Sequence, residues 1–278
     1  MIKSSLTQPL KWPGGKNYLA DWIIACMVSH LHYVEPYAGG LAVLLRKQPV
    51  GISEVINDLD GELTNFWRVL KDASDFEDFK RKVEATPFSQ RDFEDAAEML
   101  PNDSPVDRAV RVFIRCRQSR QGLQKDFATL SKNRTRRGMN EQVSSWLTAI
   151  DGLPEVHDRL KRVVILNDDA VKVIRREDST NTFYYLDPPY LHETRVTTND
   201  YSYEMTAEDH EQLLVVLTEL KGKFILSGYR NDLYDDFANR HGWNRLDREI
   251  DCKASSAQKK PKRIESLWMN YSRVEEGS

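Results

Sequence analysis

Four consecutive residues, Asp187-Pro188-Pro189-Tyr190, carry groups suited to holding a planar amino group. They follow residues 181–186, whose β-forming side chains predict a buried strand. Proline cannot donate to a sheet, so two prolines turn the chain out of it. The Asp187 carboxylate and a proline carbonyl only accept hydrogen bonds, and the tyrosine ring offers a stacking surface. This chemistry fits an extruded nucleobase. The alternative is a turn that ends a strand and buries a tyrosine.

A second group of residues has the layout of a nucleoside site. Residues 33–35 predict a short strand that runs into the glycine turn 36–40, and a helix follows. Another strand is predicted at 52–56, and Asp58 stands just beyond its end, where an acid can accept from ribose hydroxyls. The full dinucleotide fingerprint is missing, which favours a ligand without pyrophosphate, such as S-adenosylmethionine. Asp58 as the N-cap of the next helix is the alternative.

The stretch 11–16, Lys-Trp-Pro-Gly-Gly-Lys, precedes a predicted helix and places Trp12 and Lys16 beside two glycines. It is not a phosphate loop, because Leu10 occupies the position where such a loop needs its first glycine. Taken alone, the stretch favours a surface turn before a helix.

The segment 111–137 is strongly basic and holds Asp126 as its only acid. Cations interleaved with amides predict contact with phosphates and base edges, whereas the alternative is a solvated helix face and loop. The predicted DNA contacts are Arg117, Arg120, Lys132, Arg134, Arg136 and Arg137. A second basic turn, at 253–263, is consistent with another phosphate contact.

Composition excludes several classes of protein. The 278 residues, 40% hydrophobic and 30% charged with a net charge of −3, describe a globular protein with one sizeable domain and an insertion. No apolar run reaches membrane-spanning length, and no signal peptide opens the chain. The scattered cysteines and histidines lack metal spacing, so we expect no metal site and a cytoplasmic location.

The carboxyl half continues the strand and helix pattern. Residues 163–166 predict a strand that ends at Asn167-Asp168-Asp169, and 223–227 predict another. The polar span 191–205 predicts a loop over the site. Strands are also expected at 243–250 and 266–271, and a helix from Thr206.

Four motifs in this order resemble the DNA adenine N6-methyltransferases that include the Dam enzymes. They are Lys-Trp-Pro-Gly-Gly-Lys at 11–16, Glu-Pro-Tyr-Ala-Gly-Gly at 35–40, Asn-Asp at 57–58 and Asp-Pro-Pro-Tyr at 187–190. The resemblance spans nearly the whole chain. It implies an α/β, Rossmann-like class I methyltransferase fold, with a mostly parallel sheet and an antiparallel last strand.

The resemblance also implies roles for individual residues. Trp12, Lys16, Asp58 and Asp187 match cofactor contacts, Glu35 and Gly39 shape the first-strand turn, and Asp168 or Asp169 matches the acid near the cofactor adenine. Leu41 departs from the small residue that is common in this turn. Asp187, Pro188, Pro189 and Tyr190 are the expected catalytic residues.

Three regions and a reaction follow from the resemblance. Residues 1–72 are expected to form the cofactor half of the methyltransferase domain, 73–154 a mainly helical target-recognition insertion, and 155–278 the catalytic half. The expected reaction moves a methyl group from S-adenosylmethionine to adenine N6 in double-stranded DNA, leaves S-adenosylhomocysteine and needs no metal. We expect a monomer or weak dimer from a prokaryotic cell or phage, with a restriction, phage or regulatory role left open.

Other reactions and classes remain open at this point. An N4-cytosine methyltransferase is the nearest, because cytosine presents a similar amino group. Related motifs also serve methylation of RNA or of protein amides. A catalytically inactive DNA-binding relative is the alternative of a different class.

Overall fold

The chain passes several times between two structural units. The computed structural model describes residues 6–191, 204–251 and 262–272. Unit 1 comprises residues 1–25, 38–50 and 58–167, and unit 2 comprises residues 26–37, 51–57 and 168–278.

Unit 1 is built mainly from helices. Its elements, with α1 ending one residue beyond the unit boundary, are α1 (Ala20–Cys26), α2 (Ala42–Arg46), α3 (Gly61–Lys71), α4 (Ala73–Ala85), α5 (Gln90–Asp95), α6 (Pro105–Gln118), a 3-10 turn (Arg120–Gly122), α7 (Glu141–Asp151), α8 (Leu153–Leu160), the short strands β3 (Thr135–Arg136) and β4 (Met139–Asn140), and the strand β5 (Val163–Leu166). Strands β1 (His32–Glu35) and β2 (Ser53–Asn57) precede β3 in the chain and belong to unit 2.

Local sequence signals start the longer helices of unit 1. Ser104 and Asp107 form a capping box at the start of α6, with Pro105 in the first turn. Asp72 accepts from two backbone N–H groups and caps α4, and Asn140 caps α7. Such caps satisfy N–H groups that have no partner inside the helix.

An aromatic cluster joins these helices. The Phe113 ring of α6 stacks on Phe66 of α3 at a centroid separation of 6.2 Å, and it meets Phe79 of α4 edge-on at 5.7 Å. Trp146 of α7 lies 5.1 Å from the same ring. Aromatic burial of this kind supplies much of the stability of a helical core.

A tight hairpin connects the basic segment to α7. Strands β3 and β4 pair antiparallel, with Thr135 opposite Asn140 and Arg136 opposite Met139. Arg137 and Gly138 form the turn, with φ of 56° and 75°. Two positive φ angles are those of a type I′ turn, whose twist matches paired strands.

Unit 2 contains an open, mostly parallel sheet with helices. Its elements are β1 (His32–Glu35), β2 (Ser53–Asn57), α9 (Ala170–Arg176), β6 (Thr182–Leu186), α10 (Ala207–Thr218), β7 (Lys223–Tyr229), α11 (Asp232–His241), β8 (Asn244–Asp251) and β9 (Lys262–Met269). The strands of this unit lie in the order β2-β1-β6-β7-β9-β8.

The strand directions explain where this unit can bind a ligand. β1 pairs parallel with β2 and with β6, and β6 pairs parallel with β7. β9 runs antiparallel to β7 and β8. The chain crosses from β2 over β1 to β6, so the carboxyl ends of β1 and β6 adjoin at a switch in strand order, where open α/β sheets bind ligands.

The structure bears out the expected α/β class, the mostly parallel sheet and the antiparallel last strand. Predicted strands agree with β1, β2, β5, β6, β7 and β8 to within a residue or two, whereas β9 begins four residues before its predicted start. The expected loop over 191–205 lies outside the described residues except at its ends, as do Lys253, Lys259 and Lys260. The three-part division with a recognition insertion at 73–154 stays a prediction. Within the described ranges, no helix is both long and apolar enough to span a membrane.

Candidate active site

The Asp187-Pro188-Pro189-Tyr190 segment begins where β6 ends. All five residues of β6 are buried, as expected for a strand covered on both faces. Asp187 and Tyr190 are partly exposed, whereas Pro188 is buried. The buried strand therefore anchors the segment, while the side chains of Asp187, Pro189 and Tyr190 are partly exposed at the carboxyl edge of the sheet.

The Tyr190 side chain is held at both its hydroxyl and its ring. Its hydroxyl donates to the Glu265 carboxylate and lies 3.5 Å from the Ser227 Oγ. The ring meets Tyr229 edge-on, with centroids 4.7 Å apart and an interplanar angle of 73°. Burial, together with the charges of Asp187 and Glu265, raises the pKa of Tyr190 well above its usual value. The hydroxyl is therefore a neutral donor, and Tyr190 does not act as a base.

In unit 1, Gly39 of the glycine turn contacts three residues from other parts of the chain. Its N–H donates to the Asp58 Oδ2 at 2.9 Å, and its carbonyl accepts from the Trp67 Nε1 at 3.1 Å. Gly39 has φ of +47°, and a Cβ there would stand 2.9 Å from the Trp12 Nε1. The turn needs glycine because the indole of Trp12 packs directly on its backbone.

Leu41 enters α2 in an unusual conformation. Its φ is 58° and ψ is 34°, in the left-handed region, and its side chain is buried. This backbone costs a non-glycine residue about 1–2 kcal/mol. Burial of the leucine side chain contributes a similar amount of the opposite sign. The departure at Leu41 is thus accommodated in the core next to the turn.

Asp58 keeps acceptor capacity beyond its own backbone contacts. One oxygen accepts from Gly39 and the other accepts from the Asp60 N–H at 3.0 Å. Burial raises the pKa of Asp58 to about 6, against the lowering effect of these backbone hydrogen bonds. A carboxylate offers about four acceptor positions, so the backbone donors leave acceptor capacity for ligand hydroxyls. Asp60, and not Asp58, caps α3.

Two other predicted cofactor residues are buried. Lys16 in unit 1 is 4% exposed, and its Nζ donates to the Gly14 carbonyl at 3.0 Å. Glu35 in unit 2 is 2% exposed and accepts from the Tyr33 hydroxyl at 2.6 Å. These contacts stabilise the segments on which the predicted site residues stand.

Asn57 organises the carboxyl ends of the strands in unit 2. Its Nδ2 donates to the carbonyls of Pro36 and Asp168, each at 3.0 Å, and its Oδ1 accepts from the Asp168 N–H at 2.9 Å. Asp169 caps α9 by accepting from the Lys172 N–H at 3.0 Å. Asp168 in turn accepts from the Asp169 N–H at 2.8 Å, so each of the two acids has one oxygen engaged by a backbone N–H.

The basic segment divides into buried and exposed cations. Arg117 is 8% exposed and donates to the Ser145 carbonyl at 2.6 Å and to its Oγ at 2.9 Å. Burial lowers the pKa of Arg117 to about 10. The other predicted DNA contacts are exposed, namely Arg120, Lys132, Arg134, Arg136 and Arg137. Arg137 also donates to Thr148 and pairs with Asp151 at 3.3 Å.

A family comparison decides between the reactions that this geometry permits. The model of the D12 class N6 adenine-specific DNA methyltransferases matches residues 12–249. The chain belongs to this family. It is therefore an adenine-specific DNA methyltransferase, as the four motifs predict. No curated protein gives a significant match to the chain.

In this D12 methyltransferase, the sequence assigned no role to Glu265 or Ser227, and it indicated Asn57 only as part of the Asn-Asp motif. Glu265 is 1% exposed and accepts from both Tyr190 and Ser227. No sequence signal singled out Glu265, because it stands between Ile264 and the polar Ser266, just outside the strand predicted at 266–271. Asn57 lay beside the predicted Asp58, yet its role in joining strand ends depends on contacts 21 and 111 residues away.

Proposed function

We propose that this D12 methyltransferase transfers a methyl group from S-adenosylmethionine to N6 of an adenine flipped out of duplex DNA. The observation that carries the proposal is the Asp187-Pro188-Pro189-Tyr190 segment at the carboxyl end of the buried strand β6. Family membership supports the adenine, and the segment supplies the groups that suit its amino nitrogen.

Residues in and around the glycine turn support S-adenosylmethionine as the methyl donor. Asp58 retains acceptor capacity for ribose hydroxyls, and Gly39 and Trp12 hold that carboxylate in place. The proposed cofactor set also contains Trp12, Lys16, Glu35, Asp187 and either of the two acids Asp168 and Asp169. The cofactor supplies a methyl group made electrophilic by its positive sulfur.

Asp187 and Pro188 orient the amino nitrogen. The N6 lone pair of adenine is delocalised into the ring, so the amine needs orientation more than deprotonation. The Asp187 carboxylate and the Pro188 carbonyl accept its two N–H bonds and favour a tetrahedral nitrogen. N6 forms a bond to the methyl carbon as the carbon–sulfur bond breaks, and S-adenosylhomocysteine leaves with the electron pair. Asp187 accepts the proton that N6 then loses.

Tyr190 stabilises the extruded base. Flipping costs a few kcal/mol of unstacking and unpairing, and stacking on an aromatic ring offsets part of that cost. The neutral, anchored ring of Tyr190 is suited to this role.

The exposed cations support duplex DNA as substrate. We propose Arg120, Lys132, Arg134, Arg136 and Arg137 as phosphate or base contacts. Arg117 is left out of this set, because its guanidinium is buried against Ser145.

The deciding experiment incubates the protein with labelled S-adenosylmethionine and high-complexity genomic or phage DNA. We expect N6-methyladenine after nucleoside digestion and mass spectrometry. Asp187→Ala should lower transfer at least 10²- to 10³-fold, because a preorganised acceptor is lost, while DNA binding survives. Asp236→Ala, on the exposed side of α11, is the matched control and should keep full activity.

Two outcomes would contradict this proposal in different ways. N4-methylcytosine as the product would overturn the adenine assignment but preserve the chemistry. Absence of any methylated nucleoside, with folded protein and complex DNA, would overturn the function.

A further inference from the structure

Two strands that follow β6 in the sheet, β7 and β9, hold the hydroxyl of Tyr190. We propose that Glu265 of β9, assisted by Ser227 of β7, is a positioning residue that fixes the Tyr190 ring for stacking on the target base. This inference rests on the proposed function, because it assigns a role within the same site. Neither Glu265 nor Ser227 touches the reacting atoms in this proposal.

The hydrogen bonds converge on one carboxylate oxygen. The Tyr190 hydroxyl donates to Glu265 Oε1, and the Ser227 Oγ donates to the same oxygen at 2.8 Å. Glu265 is 1% exposed and Ser227 is fully buried. Hydrogen bonds to an ionised group are stronger than neutral ones, and burial removes competing water. The hydroxyl end of Tyr190 is therefore held firmly.

The ring is constrained from two further directions. The backbone of Tyr190 follows Pro188 and Pro189, whose rings restrict φ in the segment. Tyr229 packs edge-on against the ring, and the Arg263 guanidinium lies 4.9 Å from the Tyr229 ring centre. Tyr229 is paired with Glu265 across β7 and β9, so the same strand pair supports both the ring and its hydroxyl.

A fixed ring affects the reaction more than it affects cofactor binding. A mobile tyrosine would have to be ordered each time a base entered, which adds to the cost of base extrusion. A ring fixed in advance presents its stacking surface without that cost. Loss of the Glu265 contact should accordingly lower kcat on DNA and leave S-adenosylmethionine affinity unchanged.

A double-mutant cycle between Glu265 and Tyr190 tests this role. Tyr190→Phe keeps the ring but removes the hydroxyl, and Glu265→Gln replaces the acceptor-only carboxylate by an amide. We expect each change to lower kcat roughly 10- to 100-fold, the range for one hydrogen bond to a charged group. The double variant should be no slower than the worse single variant, because both changes remove one contact. The Kd for S-adenosylmethionine should stay within about twofold of wild type.

Ser266→Ala is the matched control on the same strand. Ser266 is fully buried and donates to Asp247 at 2.8 Å, away from Tyr190. The Ser266→Ala variant should have a lower free energy of unfolding than the wild type but the same kcat. If Glu265→Gln does not fold, Ser227→Ala with Tyr190→Phe completes an equivalent cycle, because Ser227 holds the same carboxylate oxygen.

The outcomes separate this inference from the proposed function. The positioning role alone would be overturned if the wild type is active and the Tyr190→Phe and Glu265→Gln variants keep its kcat. It would also be overturned if the losses in kcat multiply in the double variant. Wild-type protein that methylates no DNA would overturn the function and this role with it.

Discussion

Asp58 combines a partly buried carboxylate with a proposed role as acceptor for ribose hydroxyls. Burial raises its pKa to about 6, although Gly39 and Asp60 donate to it. A hydroxyl donates more strongly to an ionised carboxylate than to a protonated one. Cofactor binding and proton binding therefore compete at this residue.

We expect the affinity for S-adenosylmethionine to fall as the pH drops through the Asp58 pKa. The ionised fraction at pH 5 is about one tenth for a pKa near 6, so the Kd should rise about tenfold between pH 7 and pH 5. Asp58→Asn should weaken binding at pH 7 by roughly 1–3 kcal/mol and remove this pH dependence. Titration calorimetry at several pH values measures both effects.

Asp60→Asn is the control for this experiment. Asp60 is the neighbouring carboxylate, and asparagine caps a helix about as well as aspartate. The control should retain the fall in affinity but at a somewhat lower pH, because the charge of Asp60 helps to raise the pKa of Asp58. Equal affinities for wild type and Asp58→Asn at pH 7 would exclude the ribose role.

At the scale of elements, the β3–β4 hairpin presents exposed cations on a rigid support. Asn140 donates to the Ser131 carbonyl at 3.1 Å and also caps α7. The Arg134 N–H donates to the Ser131 Oγ at 3.0 Å. Arg134 and Arg136 are exposed on this hairpin, which makes them the sharpest test of DNA contact.

Replacing Arg134 and Arg136 together by alanine should weaken DNA binding and flatten its salt dependence. Each phosphate contact contributes about 0.9 to the slope of log K against log salt, so the slope should fall by up to about 1.8. Fluorescence anisotropy across a series of salt concentrations measures it.

Two exposed arginines on α9, outside the predicted insertion at 73–154, provide the control. The side chains of Arg175 and Arg176 are 58% and 50% exposed and pair with Glu219 and Glu177. Their double alanine variant has the same change in net charge and should keep the wild-type slope. A hairpin variant with the wild-type slope would show that Arg134 and Arg136 do not contact phosphate.

At the scale of the whole of unit 1, distant parts of the chain meet at Lys11. Its Nζ donates to the Arg117 carbonyl at 3.0 Å, and Gly122 packs against its backbone. Burial, with the nearby charge of Arg117, lowers the pKa of Lys11 to about 8. The basic segment is thus joined to the residue just before Trp12, which itself packs on Gly39.

A pair of glycine substitutions measures how much this contact matters. Gly122 and Gly138 both have positive φ, +79° and +75°, but a Cβ on Gly122 would stand 2.2 Å from the Lys11 carbonyl oxygen, whereas Gly138 faces open space. Gly138→Ala should cost about 1 kcal/mol of unfolding free energy from its backbone alone. Gly122→Ala should cost at least about 2 kcal/mol more, because the backbones must separate.

Urea denaturation of both variants gives the comparison. Equal losses would mean that residues 11 and 122 do not pack as described. A larger loss for Gly122→Ala, with the m-value unchanged, would confirm the contact.

The sequence alone determined the local parts of the site. Prolines after an apolar run, glycines between a strand and a helix, and an acid at a strand end express preferences that act between near neighbours in the chain. These signals predicted the Asp187-Pro188-Pro189-Tyr190 segment, the turn at Gly39 and the position of Asp58. The order of these motifs also indicated the family.

Only the tertiary structure decided which polar residues meet and which charges are buried. Glu265 accepts from Tyr190 across 75 residues because β9 pairs with β7, and β7 with β6. Arg117 is buried because α6 turns that face toward Ser145 of α7, although its neighbours in sequence are also basic. Pairing and burial depend on which elements adjoin, and that is set by the packing of the whole core rather than by local sequence.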